Sequence, residues 1–229
     1  MKNKAIVFDL DGTAVDSPRE KLPSKRLVEV VDKLKEKYYL CSATGRVWHY
    51  AKSVLHNLKL VDPCIISSGT QICNPVNGEI LWQCDIVPSD LKRVEKIFDK
   101  FPDFGILAND YSELDYLSGG STFITFKWPA QAYFLERVFV PEIEALQMMQ
   151  KLSSISGLTS LSLISQKRSD HRDIHIVNSG ATKEHAIVEL LQMMGVEKCN
   201  AVGIGDGYND LRLFNGVGYG VAMEILCRN

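Results

Sequence analysis

The sequence has no long apolar run and no large excess of charge of either sign. None of its apolar stretches approaches the length of a membrane span. The run 5–8 is too short for the core of a signal peptide and is not followed by a small-residue cleavage site. A formal net charge of −2 leaves no basic footprint for nucleic acid or an anionic membrane. We therefore expect a cytoplasmic globular protein that binds neither nucleic acid nor membranes.

Patterns typical of zinc sites and disulfide frameworks are also missing. The six cysteines form no CxxC pair, and no histidine cluster has the spacing of zinc ligands. His171 and His175 would share a face on a helix, but four residues of extended strand span about 13 Å, so we reject them as a joint metal site. We expect the cysteines to be reduced thiols, with disulfides as the less expected alternative.

The chain does contain a regular alternation of apolar strands and amphipathic helices. The apolar run 4–8 predicts a buried strand, and Ser24 opens a helix with apolar residues at helical spacing. A second strand is predicted at 38–41, a helix at 47–58 and a third strand at 64–66. This alternation is typical of a parallel α/β sheet.

The middle of the chain changes in character between about residues 81 and 165. Glycine and proline interrupt it repeatedly. Helices are predicted there at 90–100 and 141–152, and strands at 105–108, 122–126 and 158–164. The pattern predicts an α+β module inserted into the sheet domain.

The alternating pattern returns after the polar loop 166–173. A strand is predicted at 174–177 and a helix at 182–194, which Gly195 ends. A buried strand at 201–204 follows. The predicted fold class is therefore α/β, a doubly wound parallel sheet that carries one insert.

Four polar positions are predicted to meet at one edge of this sheet. Asp9, Thr44 and Asp206 each follow the C-terminal end of a predicted parallel strand, and Lys183 begins a helix. Ligands of open α/β sheets bind at that edge. Singly, the Asp-x-Asp-Gly sequence could be a turn, Thr44 a helix cap and Lys183 a solvated residue. Together they favour a functional site.

The residue types at this edge suit phosphoryl transfer. That reaction needs a nucleophile, a proton donor for the leaving oxygen and positive charge beside the equatorial oxygens. Asp9 can attack phosphorus, and Asp11 can act as general acid and then as base for the hydrolytic water. Thr44 and the amide of Gly45 can bind a phosphate oxygen at a helix N-terminus, and Lys183 supplies the positive charge.

Two further carboxylates indicate a metal ion. Asp206 and Asp210 add hard oxygen ligands, which favour magnesium over metals that prefer thiolate or imidazole. Magnesium would bridge Asp9 and the phosphate and screen their repulsion. Asp210 could instead cap the helix that follows its loop. We expect Mg²⁺ as the cofactor.

Four ordered motifs carry a family resemblance. They are Asp9-Leu10-Asp11-Gly12-Thr13, Ser42-Ala43-Thr44-Gly45-Arg46, Lys183 and Gly205-Asp206-Gly207-Tyr208-Asn209-Asp210. In this order, and over nearly the whole chain, they resemble the motifs of haloacid dehalogenase superfamily phosphatases. The insert lies between the second and third motifs, which is similar to the C2-capped Cof-type, or IIB, branch. Residues 66–70 resemble that branch's Ser-Asn-Gly-Ala loop, with Ser68 where the branch usually has Asn.

The resemblance implies a domain organisation. It implies a Rossmann-like catalytic core formed by residues 1–82 and 168–229, and an inserted C2-type α/β cap domain at residues 83–167. Relatives usually continue through another helix and strand after the segment that resembles 217–223. The resulting sheet edge favours association and leaves a homodimer open.

The resemblance also implies roles for the site residues. Asp9 is the implied nucleophile, Asp11 the acid/base, and Mg²⁺ is held by Asp9, the Asp11 carbonyl, Asp206 and Asp210. The implied substrate is a small phosphomonoester such as a sugar phosphate.

Two other functions are compatible with the same motifs. A phosphosugar mutase would transfer the phosphoryl group to another sugar hydroxyl, although the last motif lacks the longer Gly-rich form of those mutases. A non-catalytic phospholigand-binding protein would keep the fold without turnover. Retention of both Asp9 and Asp11 argues against it, because binding alone needs no acid/base pair.

Overall fold

The computed structural model describes residues 2–16, 22–101, 105–110, 128–165 and 168–223. The chain divides into two compact units, the first formed by Met1–Gln83 with Thr182–Asn229 and the second by Cys84–Ala181. The strand expected at 122–126 lies outside the described residues. No helix in the described ranges is both long and apolar enough to span a bilayer.

The strands of the described residues are, in chain order, β1 (Ala5–Phe8), β2 (Tyr39–Ser42), β3 (Cys64–Ile66), β4 (Gln71–Cys73), β5 (Ile80–Gln83), β6 (Gly105–Ala108), β7 (Phe134–Pro141), β8 (Leu158–Ile164), β9 (His171–Asn178), β10 (Ala201–Gly205) and β11 (Tyr219–Ala222). The helices are α1 (Lys25–Leu34), α2 (Trp48–Asn57), α3 (Pro88–Phe98), α4 (Glu142–Leu152), α5 (Lys183–Met194) and α6 (Leu211–Gly216). Short 3₁₀ turns occupy Ser67–Gly69, Lys198–Asn200 and Tyr208–Asp210.

The first unit is built on a parallel sheet in the order β11-β10-β1-β2. A parallel bridge between Ala43 and Ile65 places β3 beyond β2, and β4 and β5 continue from β3 as antiparallel strands. The parallel sheet is therefore as predicted, whereas the short strands β4 and β5 were not expected from the sequence.

Helices cover both faces of this sheet because successive strand residues point to opposite sides. Val7 belongs to one buried cluster, with Ile187 and other residues of α5. Phe8, the next residue, belongs to a second cluster, with Leu55 and other residues of α1 and α2. Gly195 ends α5 in the left-handed conformation at φ 64°, as its position predicted.

The second unit contains an antiparallel sheet in the order β6-β7-β9-β8. Its apolar core joins Leu135 and Ile174 of the sheet to Val94 of α3 and Met148 of α4. The unit is thus the α+β module that the change in sequence pattern predicted.

One predicted strand belongs to a different sheet from the one expected. Residues 174–177 were expected to resume the parallel sheet, but His171–Asn178 pairs with β7 and β8 in the antiparallel sheet. Ile174 and Ile176 alternate with Asp173 and His175, the pattern of a strand with one apolar face. The second unit therefore extends from Cys84 to Ala181, beyond the predicted boundary at residue 167.

Candidate active site

Asp9 stands at the carboxyl edge of the parallel sheet, directly after the central strand β1. Its amide donates to the carbonyl of Ile204 at 2.9 Å, and the amide of Ala43 donates to the carbonyl of Phe8 at 2.9 Å. The strand ladders on both sides therefore fix the backbone around Asp9. Asp9 is only 4% exposed, so its carboxylate lies in an environment that disfavours an unpaired charge.

Lys183, the first residue of α5, supplies the positive charge beside Asp9. Its Nζ lies 2.7 Å from Asp9 Oδ1 and 2.8 Å from Asp210 Oδ1. Lys183 and Asp210 are both buried. A cation at a helix N-terminus is unfavourable on its own, and the two carboxylates offset this cost.

The loop after β10 brings two more carboxylates to the same place. Asp210 Oδ2 accepts from the amides of Asp206 and Gly207, at 3.1 Å and 3.0 Å. Thr13 donates its hydroxyl proton to Asp206 Oδ1 at 3.0 Å. Asp210 thus binds its own loop with one oxygen and Lys183 with the other, and its side chain makes no capping hydrogen bond to α6.

Asp9, Asp206 and Asp210 form a carboxylate cluster, in which each residue has an oxygen within 4.8 Å of the others. Burial raises the pKa of Asp9 to about 6, against the opposing effect of Lys183 and with a further increase from the charge of Asp210. Burial is also the main cause that raises the pKa of Asp206. For Lys183, burial favours the neutral form, but the two carboxylates outweigh it and raise the lysine pKa.

This cluster fits a divalent cation. The cluster contains three carboxylates, and Lys183 pairs with those of Asp9 and Asp210. One lysine does not balance three carboxylates, so an excess of negative charge remains. All three offer hard oxygen atoms, the donor type that Mg²⁺ prefers.

Asp11 points its carboxylate at Arg46. Arg46 Nε lies 3.2 Å from Oδ1 and 3.0 Å from Oδ2, and Nη2 lies 2.5 Å from Oδ1. The side chains are 14% exposed for Arg46 and 28% for Asp11. Within the described residues, the Asp11 carboxylate is not part of the carboxylate cluster.

Thr44 and Gly45 follow β2, at the same sheet edge as Asp9. Thr44 is fully buried, and its Oγ1 accepts from the amide of Arg46 at 3.1 Å. A Cβ built on Gly45 would lie 3.5 Å from Ser68 Oγ, an ordinary contact distance. Both residues lie in the turn between β2 and α2, which follows the strand paired with β1.

Three residues around the site make contacts that the sequence motifs did not predict. Arg46 binds Asp11, Thr13 binds Asp206, and a Cβ on Gly69 would lie 2.5 Å from the amide nitrogen of Lys183. Arg46 and Thr13 lie inside motifs that were recognised, so their position in those motifs was the available signal. Gly69 has a φ of +98°, a conformation that glycine adopts readily. The glycine at this position was therefore the available sign of an unusual backbone.

Comparison with known proteins identifies the family. A model of the haloacid dehalogenase-like hydrolases matches residues 6–225. The chain belongs to the haloacid dehalogenase-like hydrolases. The predicted enzyme class, a phosphatase of this family, is thereby confirmed, and curated relatives of this hydrolase are named as phosphatases.

The 5-amino-6-(5-phospho-D-ribitylamino)uracil phosphatase YitU of Bacillus subtilis (strain 168) is 23% identical over 238 residues, which cover 95% of this hydrolase and 85% of YitU. The phosphoglycolate phosphatase of Archaeoglobus fulgidus is 26% identical over 223 residues, which cover 97% of this hydrolase and 84% of the relative.

Solved structures share the fold of this hydrolase. The subclass IIB sugar phosphatase BT4131 aligns with a TM-score of 0.71 at 17% identity, covering 96% of this hydrolase and 87% of that chain. A haloacid dehalogenase-like hydrolase from Bacteroides thetaiotaomicron aligns with a TM-score of 0.75 at 20% identity, covering 98% and 89%. The predicted fold class, a parallel-sheet core with an inserted α+β unit, is confirmed.

Proposed function

We propose that this hydrolase is a magnesium-dependent phosphatase that cleaves small phosphomonoesters through a phosphoaspartyl intermediate on Asp9. The observation that carries the proposal is the bridge from Lys183 Nζ to Asp9 and Asp210 inside the carboxylate cluster. A buried carboxylate beside a lysine and further carboxylates combines a nucleophile with the charges that a phosphoryl group needs.

In the first proposed step, a carboxylate oxygen of Asp9 attacks phosphorus and the bond from phosphorus to the leaving oxygen breaks. Asp11 gives its proton to that oxygen, so the alcohol leaves neutral. Lys183, the hydroxyl of Thr44 and the amide of Gly45 bind the equatorial phosphate oxygens and stabilise their charge.

In the second proposed step, Asp11 takes a proton from water as the water oxygen attacks phosphorus. The bond between phosphorus and Asp9 breaks, inorganic phosphate is released and the Asp9 carboxylate is regenerated. Asp9, the carbonyl of Asp11, Asp206 and Asp210 would hold Mg²⁺. When bound, this ion supplies positive charge that offsets the repulsion between the carboxylates and the phosphate.

We propose that the first unit is the catalytic core and the second unit the cap that selects the leaving group. YitU, the Archaeoglobus enzyme and BT4131 are named for phosphorylated small molecules of different kinds. A small phosphorylated metabolite, such as a sugar phosphate, is the substrate class that these names support. The cytoplasmic location fits the free thiols of Cys41, Cys64, Cys73, Cys84 and Cys199. The homodimer stays a prediction.

The test is phosphate release by the full-length protein from 4-nitrophenyl phosphate and a panel of sugar phosphates, phosphoglycolate and nucleotides, with Mg²⁺ or with EDTA. We expect release that needs Mg²⁺ and falls by at least about 10³-fold in Asp9→Asn. Asp32→Asn, which changes an exposed carboxylate on α1, is the matched control and should keep full activity. Full activity in Asp9→Asn would contradict the proposal, and transfer of phosphate to a second sugar would favour a mutase.

A further inference from the structure

The ion pair between Arg46 and Asp11 has more contacts than a simple surface salt bridge. Three N–H···O contacts join the two side chains, from Nε to both carboxylate oxygens and from Nη2 to Oδ1. Exposed ion pairs contribute little because each partner stays free to move. This pair is mostly shielded, and its fork-like contact fixes the plane of the carboxylate as well as its position.

Arg46 is itself held at both ends. Its Nη1 donates to the carbonyl of Tyr50 at 3.3 Å, on the first turn of α2. Its backbone amide donates to Thr44 Oγ1 at 3.1 Å, and its carbonyl accepts from the amide of Ser67 at 2.8 Å. The guanidinium is therefore attached to the turn between β2 and α2, and it can orient Asp11 against a fixed frame.

From these contacts we infer that Arg46 is a positioning residue that sets the direction of the Asp11 carboxylate. The inference rests on the proposed function, in which Asp11 transfers the proton. Arg46 makes two contacts to Oδ1 but one to Oδ2. Oδ1 is thus the anchor, and Oδ2, which has the single contact, is the oxygen that carries the proton to the leaving oxygen and later accepts one from water.

The consequence is a dependence on the leaving group. A poor leaving group needs its proton in the transition state, whereas 4-nitrophenolate leaves without much help. Loss of Arg46 should therefore reduce kcat/KM more for phenyl phosphate and 4-methoxyphenyl phosphate than for 4-nitrophenyl phosphate. We expect the difference to be about tenfold or more, a fraction of the 10²–10⁴-fold that general acid catalysis provides.

The test measures kcat/KM for this series of substituted phenyl phosphates in the wild type, Arg46→Ala and Arg46→Lys, with Mg²⁺ present. Arg46→Ala should make kcat/KM depend more steeply on the leaving group. Added guanidinium chloride at low millimolar concentration should partly restore the shallower dependence of the wild type. Arg46→Lys keeps the positive charge but loses the two-pronged contact of the guanidinium. Its kcat/KM should therefore also depend more steeply on the leaving group than that of the wild type. It also serves as the readout if Arg46→Ala does not fold.

Two controls separate positioning from a general loss of structure. Arg93→Ala removes an exposed arginine that pairs with Asp90 on α3, and it should leave the series unchanged. In an Asp11→Asn background, Arg46→Ala should cause almost no further loss, because the group that it orients is already gone.

Two results would overturn the inference. One is an equal loss across the series in both Arg46 variants, and the other is a full additional loss from Arg46→Ala in the Asp11→Asn background. Either result, with Asp9→Asn inactive, would leave the proposed function intact. Full activity in Asp9→Asn would instead remove the proposed function and the inference with it.

Discussion

Gly12 lies against Asp206 so closely that a Cβ on Gly12 would be 2.0 Å from Asp206 Oδ2. Gly12 also has a φ of +83°, a conformation that residues with a side chain rarely adopt. The first motif and the last one, almost two hundred residues apart, therefore meet only because this position has no side chain.

The Gly12→Ala variant should lose activity through displacement of Asp206. We expect a fall in kcat/KM of about 10²-fold or more, since a shift of about 1 Å in a catalytic arrangement costs that much. Steady-state kinetics with Mg²⁺ and thermal unfolding without it are the measurements.

Gly195→Ala is the matched control for that variant. Gly195 also has a positive φ, 64°, but a Cβ there would meet nothing within 4 Å. Both alanines should destabilise the fold by about 1–2 kcal/mol through backbone strain, but Gly195→Ala should keep its activity. Equal activity of the two variants would show that the contact with Asp206 does not matter.

The pKa of Asp9, raised by burial to about 6, gives a pH dependence of stability in the metal-free protein. An unfolded aspartate ionises near 3.8, so the native state holds the extra proton between about pH 4 and pH 6. The free energy of unfolding should therefore decrease as pH rises through that window. Asp9→Asn should make this decrease smaller, and the measurement is thermal unfolding in EDTA from pH 4 to pH 8.

Magnesium provides the second arm of that experiment. If Mg²⁺ binds the carboxylate cluster, it favours the ionised form of Asp9 and should abolish the decrease in stability of the wild type. The same pH profile with and without Mg²⁺ would mean that the ion does not bind beside Asp9.

Much of the site could be predicted because parallel strands end at one edge. Apolar runs before Asp9 and Asp206 were enough to place both carboxylates there. The 2.7 Å contact between Lys183 and Asp9 spans 174 residues, so only the complete fold could establish it. The orientation of Asp11 toward Arg46 depends on side-chain torsions, which no sequence period encodes.

The second unit was harder to predict for physical reasons. Strand β7 contains Glu136 and Arg137, which are 2% and 0% exposed, so two charged residues interrupt its apolar pattern. The apolar stretch of strand β9 is short enough to suit either a parallel or an antiparallel sheet. Which sheet it joins is decided by its partners β7 and β8.

The pair of half-buried His175 and buried Glu136 should stabilise the second unit in acid. Their side chains are 3.2 Å apart, between His175 Nε2 and Glu136 Oε1. Burial lowers the pKa of His175, but Glu136 and Asp173 more than offset this effect and raise it above 6.5. The contribution should be complete below about pH 6.5 and decrease as pH rises through the native pKa.

Glu136→Gln should therefore reduce the midpoint of thermal unfolding more at pH 6 than at pH 9. The exposed substitution Glu29→Gln is the control and should show no such difference. A Glu136→Gln effect that does not change with pH would argue that His175 is neutral throughout.

Asparagine should fit the backbone at position 68 better than the serine found there. Its φ of 61° is left-handed, a region that asparagine tolerates better than serine. Ser68→Asn should stabilise the protein by a few tenths to about 1 kcal/mol in urea unfolding. Ser153→Asn, at a φ of −61°, should give no gain, and an equal gain from both would remove the backbone explanation.

The most direct test of the account is whether Asp9 becomes phosphorylated during turnover. The wild type would be mixed with phosphate-labelled substrate and Mg²⁺ and quenched in acid within milliseconds. One portion would be digested at acid pH and its peptides analysed for label. A second portion would be reduced with borohydride, which replaces the acyl phosphate by an alcohol and releases the phosphate, and would then be digested and analysed by mass spectrometry. We predict label on the peptide that contains Asp9, conversion of Asp9 to homoserine, and neither in Asp9→Asn. Rapid phosphate release with no label on Asp9, or label on another residue, would contradict the central claim.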